Sequence, residues 1–483
     1  MGIEEEATEM NVLLVQPIDK AMNYRAKRPV LGLAYIGTIL KREGHKVFVI
    51  DLRFKSYKKS RFLDILKSFK PDMAAFSVTA LTVEHTFELI KLVKEKTNAK
   101  VVAGGPEVTS LPNNFLKNKL IDFIIVGEGD FSFSEFVNKA ENGRDFSKVS
   151  GLGFRRNGKF IINPCKVIDD LDSIPFPNWD IFPLKGYNKK ASKIKFPILT
   201  SRGCPYRCSY CPSSRINFRY RVRSAKNVVD EMEHLIKKYG ARNFQVMDDN
   251  FAVVKQRVFD ICDDIIKRNL KVKWVIGQGF TANHADFDMF KKMKEAGCIL
   301  ISIGVESSDP EILRNIEKPA TREQMLNALK LAKKAGITTK ANFICGLPGA
   351  TYKTEMGYID FFKEADVDIP RFGNIMVFPN TPLYDWAKKN AKMLVDIDSA
   401  HNTLSSTKGT LSDDKKMFMP VFETKEFTKE ERVRAMRKCS SEADKWALQN
   451  IFGKHLGYIT WIFSRSVFLR KIGENVLDMF DKY

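Results

Sequence analysis

The sequence predicts an α/β protein in three parts: a doubly wound, Rossmann-like domain over residues 1–150, a partial (β/α)6 barrel over residues 196–385, and a mostly helical region over residues 386–483. Three observations predict it. Continuous apolar segments alternate with amphipathic ones through residues 10–150, the pattern of a parallel sheet covered on both faces. A strand–helix unit recurs six times across residues 196–385. There the apolar strands give way to polar or Gly-rich exits (SRGCPYRC, DDNF, GQGF, GVESS, GLPG), at the end where a barrel gathers its active site.

The first domain opens on the apolar strand NVLLVQP, whose Pro17 starts a loop. LGLAYIGTILKREG has helical spacing and stops at Gly44. The strand KVFVID, the helix around SRFLDILKSF, the strand MAAFSV, the helix HTFELIKLVKEK and the strands KVVAGG and FIIVGEG follow. Such a sheet binds its ligand beyond the strand carboxyl ends, at a topological switch point. Residues 151–195 read as a linker, because Pro175, Pro177 and Pro183 in SIPFPNWDIFP disfavour both helix and central strand. The barrel strands fall at FPILTSRG, FQVMDD, KVKWVIGQ, ILISIGVE, TKANFICG and NIMVFP, with helices such as NVVDEMEHLIKKYG and REQMLNALKLAKKAG between them. Beyond residue 385, FTKEERVRAMRKCSSEADKWALQN is amphipathic, and HLGYITWIFSRSVFLRKIGENVLDMF mixes aromatics with Arg and Lys.

A hydrophobic content of 44% is enough for real cores and excludes a disordered chain. The formal net charge of +21 fits an anionic partner (nucleic acid, an anionic membrane surface or a phosphorylated substrate) or a Lys-rich solvated surface. The acidic start MGIEEEATEM lacks the basic and apolar regions of a secretion signal, and no apolar run reaches the about 20 residues of a membrane span. The expected location is the cytoplasm, with peripheral contact to a membrane still allowed.

Of the eight cysteines, three crowd into Arg202-Gly203-Cys204-Pro205-Tyr206-Arg207-Cys208-Ser209-Tyr210-Cys211-Pro212. A disulfide scaffold would spread and pair its cysteines, so this crowding points to metal or redox use in a reducing compartment. A C-x3-C-x2-C array on a tight loop can aim three thiolates at one centre, and thiolates are the ligands that iron–sulfur clusters select. With three protein ligands a cubane keeps one iron open. A structural zinc site needs a fourth ligand, and Cys165 is the candidate, across the Pro-rich stretch. Gly203 lets the chain turn off its strand, and Pro205 stiffens the loop.

The spacing, the aromatic Tyr210 before the third cysteine and the position after a first barrel strand resemble the radical S-adenosylmethionine (SAM) superfamily. The resemblance spans about residues 11–385. It implies a [4Fe–4S] cluster on Cys204, Cys208 and Cys211, whose open iron chelates the amino and carboxylate groups of SAM. An external electron donor such as flavodoxin or ferredoxin then drives cleavage of SAM to a 5′-deoxyadenosyl radical, which abstracts a substrate hydrogen. The downstream motifs follow the family order. Asp248-Asp249-Asn250-Phe251 ends the second strand, where relatives hold the SAM amino group. Gly304-Val305-Glu306-Ser307 ends the fourth, where an acidic residue binds ribose hydroxyls. Phe343 to Gly349, with Gly346 at its centre, ends the fifth, where backbone groups meet the adenine. Asp248 and Asp249 have a plainer alternative as helix caps.

Three loops of the first domain resemble cobalamin-binding domains: Ser77-Val78-Thr79, Gly104-Gly105-Pro106-Glu107 and Gly127-Glu128-Gly129. Their residues Ser77, Thr79, Gly104, Gly105, Gly127 and Glu128 are the cobalamin-site candidates. Paired glycines after a strand let the backbone approach a bulky ligand. Pro29-Val30-Leu31-Gly32-Leu33-Ala34-Tyr35 resembles the cobalamin-dependent radical SAM branch as well. One departure stands out. Gln16-Pro17-Ile18-Asp19-Lys20 replaces the D-x-H-x-x-G that supplies a cobalt-ligating His, and His45 and His85 lie in other elements. A bound cobalamin is therefore expected to lack a protein His ligand.

The resemblance implies a cobalamin-dependent methyltransferase acting on an unactivated carbon of a small-molecule or lipid substrate. A radical cyclisation or rearrangement without methyl transfer, with or without cobalamin, is the alternative. A methylthiotransferase acting on RNA would need three further cysteines in its first domain, and residues 1–150 contain none. No strand-rich RNA-binding module is evident at the C-terminus, so no stable nucleic-acid partner is expected. The aromatic, basic tail allows a lipid-facing role, or simply packing against the barrel. Oligomeric state has no signature in the sequence.

Overall fold

A computed structural model describes residues 9–18, 28–54, 59–141, 145–213, 219–395 and 419–464. Asp19, Lys20 and the tail beyond Ser464 lie outside the described residues.

The first sheet contains β1 (Asn11–Gln16), β2 (Lys46–Asp51), β3 (Met73–Ser77), β4 (Lys100–Gly104), β5 (Phe123–Ile125), β6 (Leu152–Arg156) and β7 (Lys159–Ile162), in the order β2-β1-β3-β4-β5-β6-β7. The first five strands are parallel. Helices α1 (Leu31–Arg42), α2 (Lys59–Phe69) and α3 (Val83–Lys96) make the first three crossovers, two short helical turns at Pro106–Ser110 and Pro112–Leu116 link β4 to β5, and α4 (Ser132–Glu141) leads from β5 to the antiparallel β6. Strand β1 has no polar face: Val12 and Leu14 enter one core and Leu13 and Val15 the other. That double burial is what its continuous apolar run dictates. The chain leaves β1 for β2 on one side and β3 on the other, so the switch point lies between β1 and β3.

The sheet runs past residue 150. The antiparallel hairpin β6–β7 extends it along β5. Asn157 and Gly158 form its turn with φ of 51° and 74°, the Asn-Gly signature of a two-residue hairpin. The three prolines that follow do not make a loose linker. Trp179 is fully buried against Phe182 and Phe196, and the Asn178 N–H donates to Thr38 Oγ1 at 2.7 Å, tying the segment to α1.

The second sheet holds six parallel strands in chain order: β8 (Lys195–Ile198), β9 (Asn243–Val246), β10 (Lys273–Phe280), β11 (Cys298–Glu306), β12 (Thr338–Cys345) and β13 (Ile369–Asn374). Between them run the helices α5 (Ala225–Tyr239), α6 (Lys255–Lys267), α7 (Phe287–Glu295), α8 (Arg322–Lys334) and α9 (Tyr352–Glu364). Five strands match the sequence reading. The sixth does not: β13 is IPRFGN, and NIMVFP begins only at its last residue. Pro370 and Arg371 made IPRFGN a poor candidate, but β13 is an edge strand, where a missing N–H is tolerated.

The C-terminal part comprises α10 (Lys429–Phe452) and α11 (Lys454–Ser464). Thr428 and Glu431 form a capping box that starts α10. One continuous core joins the inner face of the first sheet, the barrel and residues Ala435, Met436, Cys439 and Ala443 of α10.

Two buried ion pairs fix the first domain on the barrel. Arg202 binds Asp130 through two hydrogen bonds of 2.8 and 2.9 Å, and Arg221 binds Glu128 through two of 2.9 and 2.7 Å. Removing one partner of such a pair leaves an uncompensated charge, at a cost of about 3–5 kcal/mol.

Candidate functional site

Strand β8 leads into Thr200-Ser201-Arg202, and Gly203 opens the cysteine loop. The loop is pinned through its backbone: Ser209 N–H donates to Ile316 O, Leu383 N–H to Ser209 O and Cys211 N–H to Cys208 O, each at 3.0 Å. Cys204, Cys208 and Cys211 form no disulfide, and each is partly exposed. Among the described residues, no three Cys, His, Asp or Glu side chains converge on one ion. A mononuclear zinc site needs that convergence, whereas in a cubane each iron takes its own thiolate. Cys165, the fourth zinc ligand considered above, is exposed and donates to Val126 O at 3.4 Å. Burial pushes the Cys208 thiol up to about 11, with Lys318 opposing and the neighbouring thiols and Glu306 adding to the rise. A thiol that resists ionisation alone suits a centre whose own positive charge holds it as a thiolate. The loop therefore fits an iron–sulfur cluster.

The DDNF motif divides its labour. Asp248 is fully buried and accepts from Thr200 N–H at 2.7 Å, Thr200 Oγ1 at 2.5 Å and Ser201 Oγ at 2.7 Å. It locks the strand exit before the cysteine loop, and its oxygens are taken up there rather than facing a ligand. Asp249 turns the other way, into the cavity between the domains, and accepts from Ser213 Oγ at 3.1 Å. Asn250, which the sequence reading did not single out, is buried beside the cluster loop. Its Nδ2 donates to Thr281 Oγ1 at 2.6 Å and lies 3.9 Å from Cys204 Sγ, while its Oδ1 has no partner. A buried carbonyl oxygen without a donor is the feature a bound ammonium would satisfy.

Glu306 ends β11 in the left-handed region, with φ of 63°, where the β11–β12 register breaks. Such backbone costs a non-glycine residue about 1–3 kcal/mol and gathers at functional sites. Its Oε1 accepts from Tyr210 Oη at 3.0 Å and Lys318 Nζ at 2.9 Å. Tyr210 thus ties the cysteine loop to the fourth strand. Burial alone would lower Lys318, but Glu306 and the cluster thiols hold its ammonium above the ordinary lysine value. No sequence motif announced Lys318.

This geometry sharpens the test of Glu306 as a ribose ligand. Glu306→Ala would strand the Lys318 ammonium, so Glu306→Gln is the informative change. A lost charge-assisted hydrogen bond is worth about 1.5–3 kcal/mol, so SAM affinity should fall on the order of ten- to a hundredfold with iron content intact. Unchanged affinity in equilibrium binding would make Glu306 only the anchor of Lys318.

A cavity of about 520 Å³ lies between the carboxyl ends of β1, β3, β4 and β5 and the barrel mouth. Ser77, Thr79, Gly104, Gly105, Gly127 and Glu128 all line it, and so do Leu199, Ser201, Arg202, Met247 and Asp249 from the barrel. Gly105 has φ of 107°, and a Cβ there would stand 2.7 Å from Val78 O, so the backbone itself demands glycine. Gly104 is different: a Cβ would meet only Ile125 O, at 3.7 Å, and Ile125 Cβ, at 3.8 Å. Its missing side chain leaves space in the cavity. Glu128 lines the wall, but its carboxylate is taken up by Arg221 and by the Ile168 N–H at 2.8 Å. It holds the domains together rather than reaching for a ligand.

Among the described residues, no histidine lines the cavity. His45 is buried between Asn138 and Met10, and His85 accepts from the Ile18 N–H at 3.0 Å. Gly346 follows β12, and both its N–H and C=O are bonded within the protein, to Glu355 and Arg432.

The family model of the radical SAM superfamily matches residues 198–362, and that of the B12 binding domain matches residues 22–137. The chain is 32% identical over 461 residues to an uncharacterized methyltransferase, PH0819, of Pyrococcus horikoshii, covering 93% of this chain and 96% of that protein. It is 30% identical to the anaerobic magnesium-protoporphyrin IX monomethyl ester cyclase of Rubrivivax gelatinosus, over 74% of this chain and 66% of that one. Among solved structures, the cobalamin-dependent SAM radical enzyme OxsB shares the fold, with a TM-score of 0.72 and 18% identity over 98% of this chain and 76% of its own.

Proposed function

The chain belongs to the cobalamin-binding radical SAM family, and on that premise we propose that it methylates an unactivated carbon of a small-molecule or lipid substrate. One observation supports the reading: the glycine loops of the first domain and the exits of the first two barrel strands line one cavity. When bound, the cluster and SAM supply hydrogen abstraction, and cobalamin supplies the methyl group. The chain's residues do the rest. Arg202–Asp130 and Arg221–Glu128 hold the two walls in one orientation. Leu14, Leu33, Phe76 and Phe133 keep the chamber apolar, which limits water around a reactive intermediate. Tyr210, Glu306 and Lys318 brace the cluster loop against β11. An external one-electron donor of flavodoxin or ferredoxin type is part of this reading.

The lipid arm has a specific support. On α11, Leu456, Ile459 and Ile462 are 64%, 47% and 47% exposed, and no acidic residue lies between Asp444 and Glu474 in the sequence. An apolar face within a basic stretch suits an anionic bilayer surface. No helix among the described residues is long and apolar enough to cross a membrane.

The test is anaerobic turnover with SAM labelled in its methyl group and with a cell extract as substrate source. Label should enter product, in the lipid extract or in the aqueous small-molecule fraction, with one S-adenosylhomocysteine and one 5′-deoxyadenosine per turnover. The similarity to a cyclase favours a second reading, a rearrangement without methyl transfer. Substrate-dependent 5′-deoxyadenosine without methyl label would establish that reading and sink the first.

A further inference from the structure

The loop after β12 is held from two sides by residues that belong to no cofactor motif. The Gly346 N–H donates to Glu355 Oε1 at 2.5 Å, from α9. The Gly346 carbonyl accepts from Arg432 Nη1 at 3.0 Å, from α10. Arg432 cannot drift. Its guanidinium lies between the rings of Phe422 and Phe427, 4.6 and 4.7 Å from their centroids, and its Nε donates to Phe427 O at 2.9 Å. Gly346 has φ of 87°, and a Cβ there would fall 2.4 Å from Arg432 Nη1, so the guanidinium occupies the space that glycine leaves.

This clamp is expensive for a purely structural contact. Glu355 is fully buried, and its second oxygen, Oε2, has no partner. Burial pushes its carboxyl up to about 7, against the Gly346 N–H and Arg432. A core built only for stability would place an apolar side chain there, since half-satisfied buried polar groups destabilise. Fixing one peptide plane at the end of the fifth strand also fixes the next, Leu347-Pro348, at the barrel mouth.

We infer that Glu355 and Arg432 are positioning residues for SAM: they set the plane of the Gly346 peptide so that the neighbouring backbone groups present themselves to the adenine, which couples the C-terminal helix α10 to cofactor binding. The inference rests on the reading that the loop after β12 meets SAM.

The experiment uses the full chain with its cluster reconstituted, and SAM itself as probe. Hydrogen exchange of residues 343–350 in the parent protein should slow when SAM is added. Glu355→Leu and Arg432→Met should each weaken SAM binding by about tenfold or more with iron content unchanged. Glu355→Gln, which keeps an acceptor for the Gly346 N–H, should stay within about twofold of the parent. Arg432→Lys keeps the charge but loses the paired geometry, and should fall between them. If the Leu and Met variants melt earlier yet bind SAM as the parent does, the residues only support the fold and the inference is overturned. Should either fail to fold, Arg432→Lys against Glu355→Gln gives the same contrast, and equal affinities overturn it. If SAM leaves exchange in residues 343–350 unchanged, the loop is not a SAM contact, and the inference falls with that reading.

Discussion

Replacing Cys204, Cys208 and Cys211 together by Ala should remove all cluster iron and all 5′-deoxyadenosine formation. Cys204, Cys208 and Cys211 are partly exposed together on the barrel loop, and among the described residues the other barrel cysteines are buried away in the core. Loss should therefore be complete rather than partial. The control is built into the same chain. Cys262, Cys298, Cys345 and Cys439 are buried in the continuous core, where a thiol behaves as a small apolar side chain. Burial pushes Cys262 up to about 12, far from the thiolate that a metal requires. Changing each of these four singly to Ala removes only a small apolar volume and should leave iron content and SAM cleavage intact. Iron analysis and chromatography of the SAM products decide the matter. Iron retained in the triple variant would place the cluster elsewhere and sink the assignment.

Local pattern carried much of this protein. The apolar runs of β1, β3 and β4 are continuous because both faces of the first sheet are covered, and the cysteine spacing survives any uncertainty about fold. What the pattern missed has identifiable causes. The hairpin β6–β7 announced itself through Asn157-Gly158, but the prolines that follow drew attention to a linker. Strand β13 carries Pro370 as its second residue, a breaker in a central strand and harmless at an edge. Asp248 and Glu128 sit in motifs at strand ends, yet each is neutralised by partners that only the fold supplies. Arg202 meets Asp130 across 72 residues and Arg221 meets Glu128 across 93. Such pairs leave no periodic trace. Lys318 and Arg432 are of the same kind: isolated basic residues in a chain with 79 Lys and Arg, distinguishable only once folding has buried them against Glu306 and Gly346.

The same contrast between pattern and fold decides how to test the cobalamin site. Two adjacent glycines looked equivalent in sequence, and they are not. Gly105 is in the left-handed region with Val78 pressed against it, so any side chain there would deform the loop and remove the site by breaking the fold. Gly104 has ordinary backbone geometry, and a Cβ would make only van der Waals contact with Ile125. Gly104→Val should therefore fold like the parent while its methyl groups enter the cavity that Ser77, Thr79 and Gly127 share. Corrinoid retention after anaerobic reconstitution should drop below detection, with the cluster iron unchanged, because no residue of the cysteine loop from Gly203 to Pro212 lines that cavity. His45→Ala and His85→Ala should leave the spectrum of the bound corrinoid unaltered. Both imidazoles are engaged outside the cavity, His45 with Asn138 at 2.8 Å and His85 with Ile18 N–H at 3.0 Å. A spectral shift in either His variant would contradict a corrinoid without a protein imidazole ligand. Full corrinoid retention in Gly104→Val would mean that the cofactor does not occupy this cavity. The two cofactor functions should also separate. With corrinoid lost and the cluster intact, Gly104→Val should still cleave SAM to 5′-deoxyadenosine while transferring no methyl label, because the barrel mouth keeps Asn250, Glu306 and Lys318 in place.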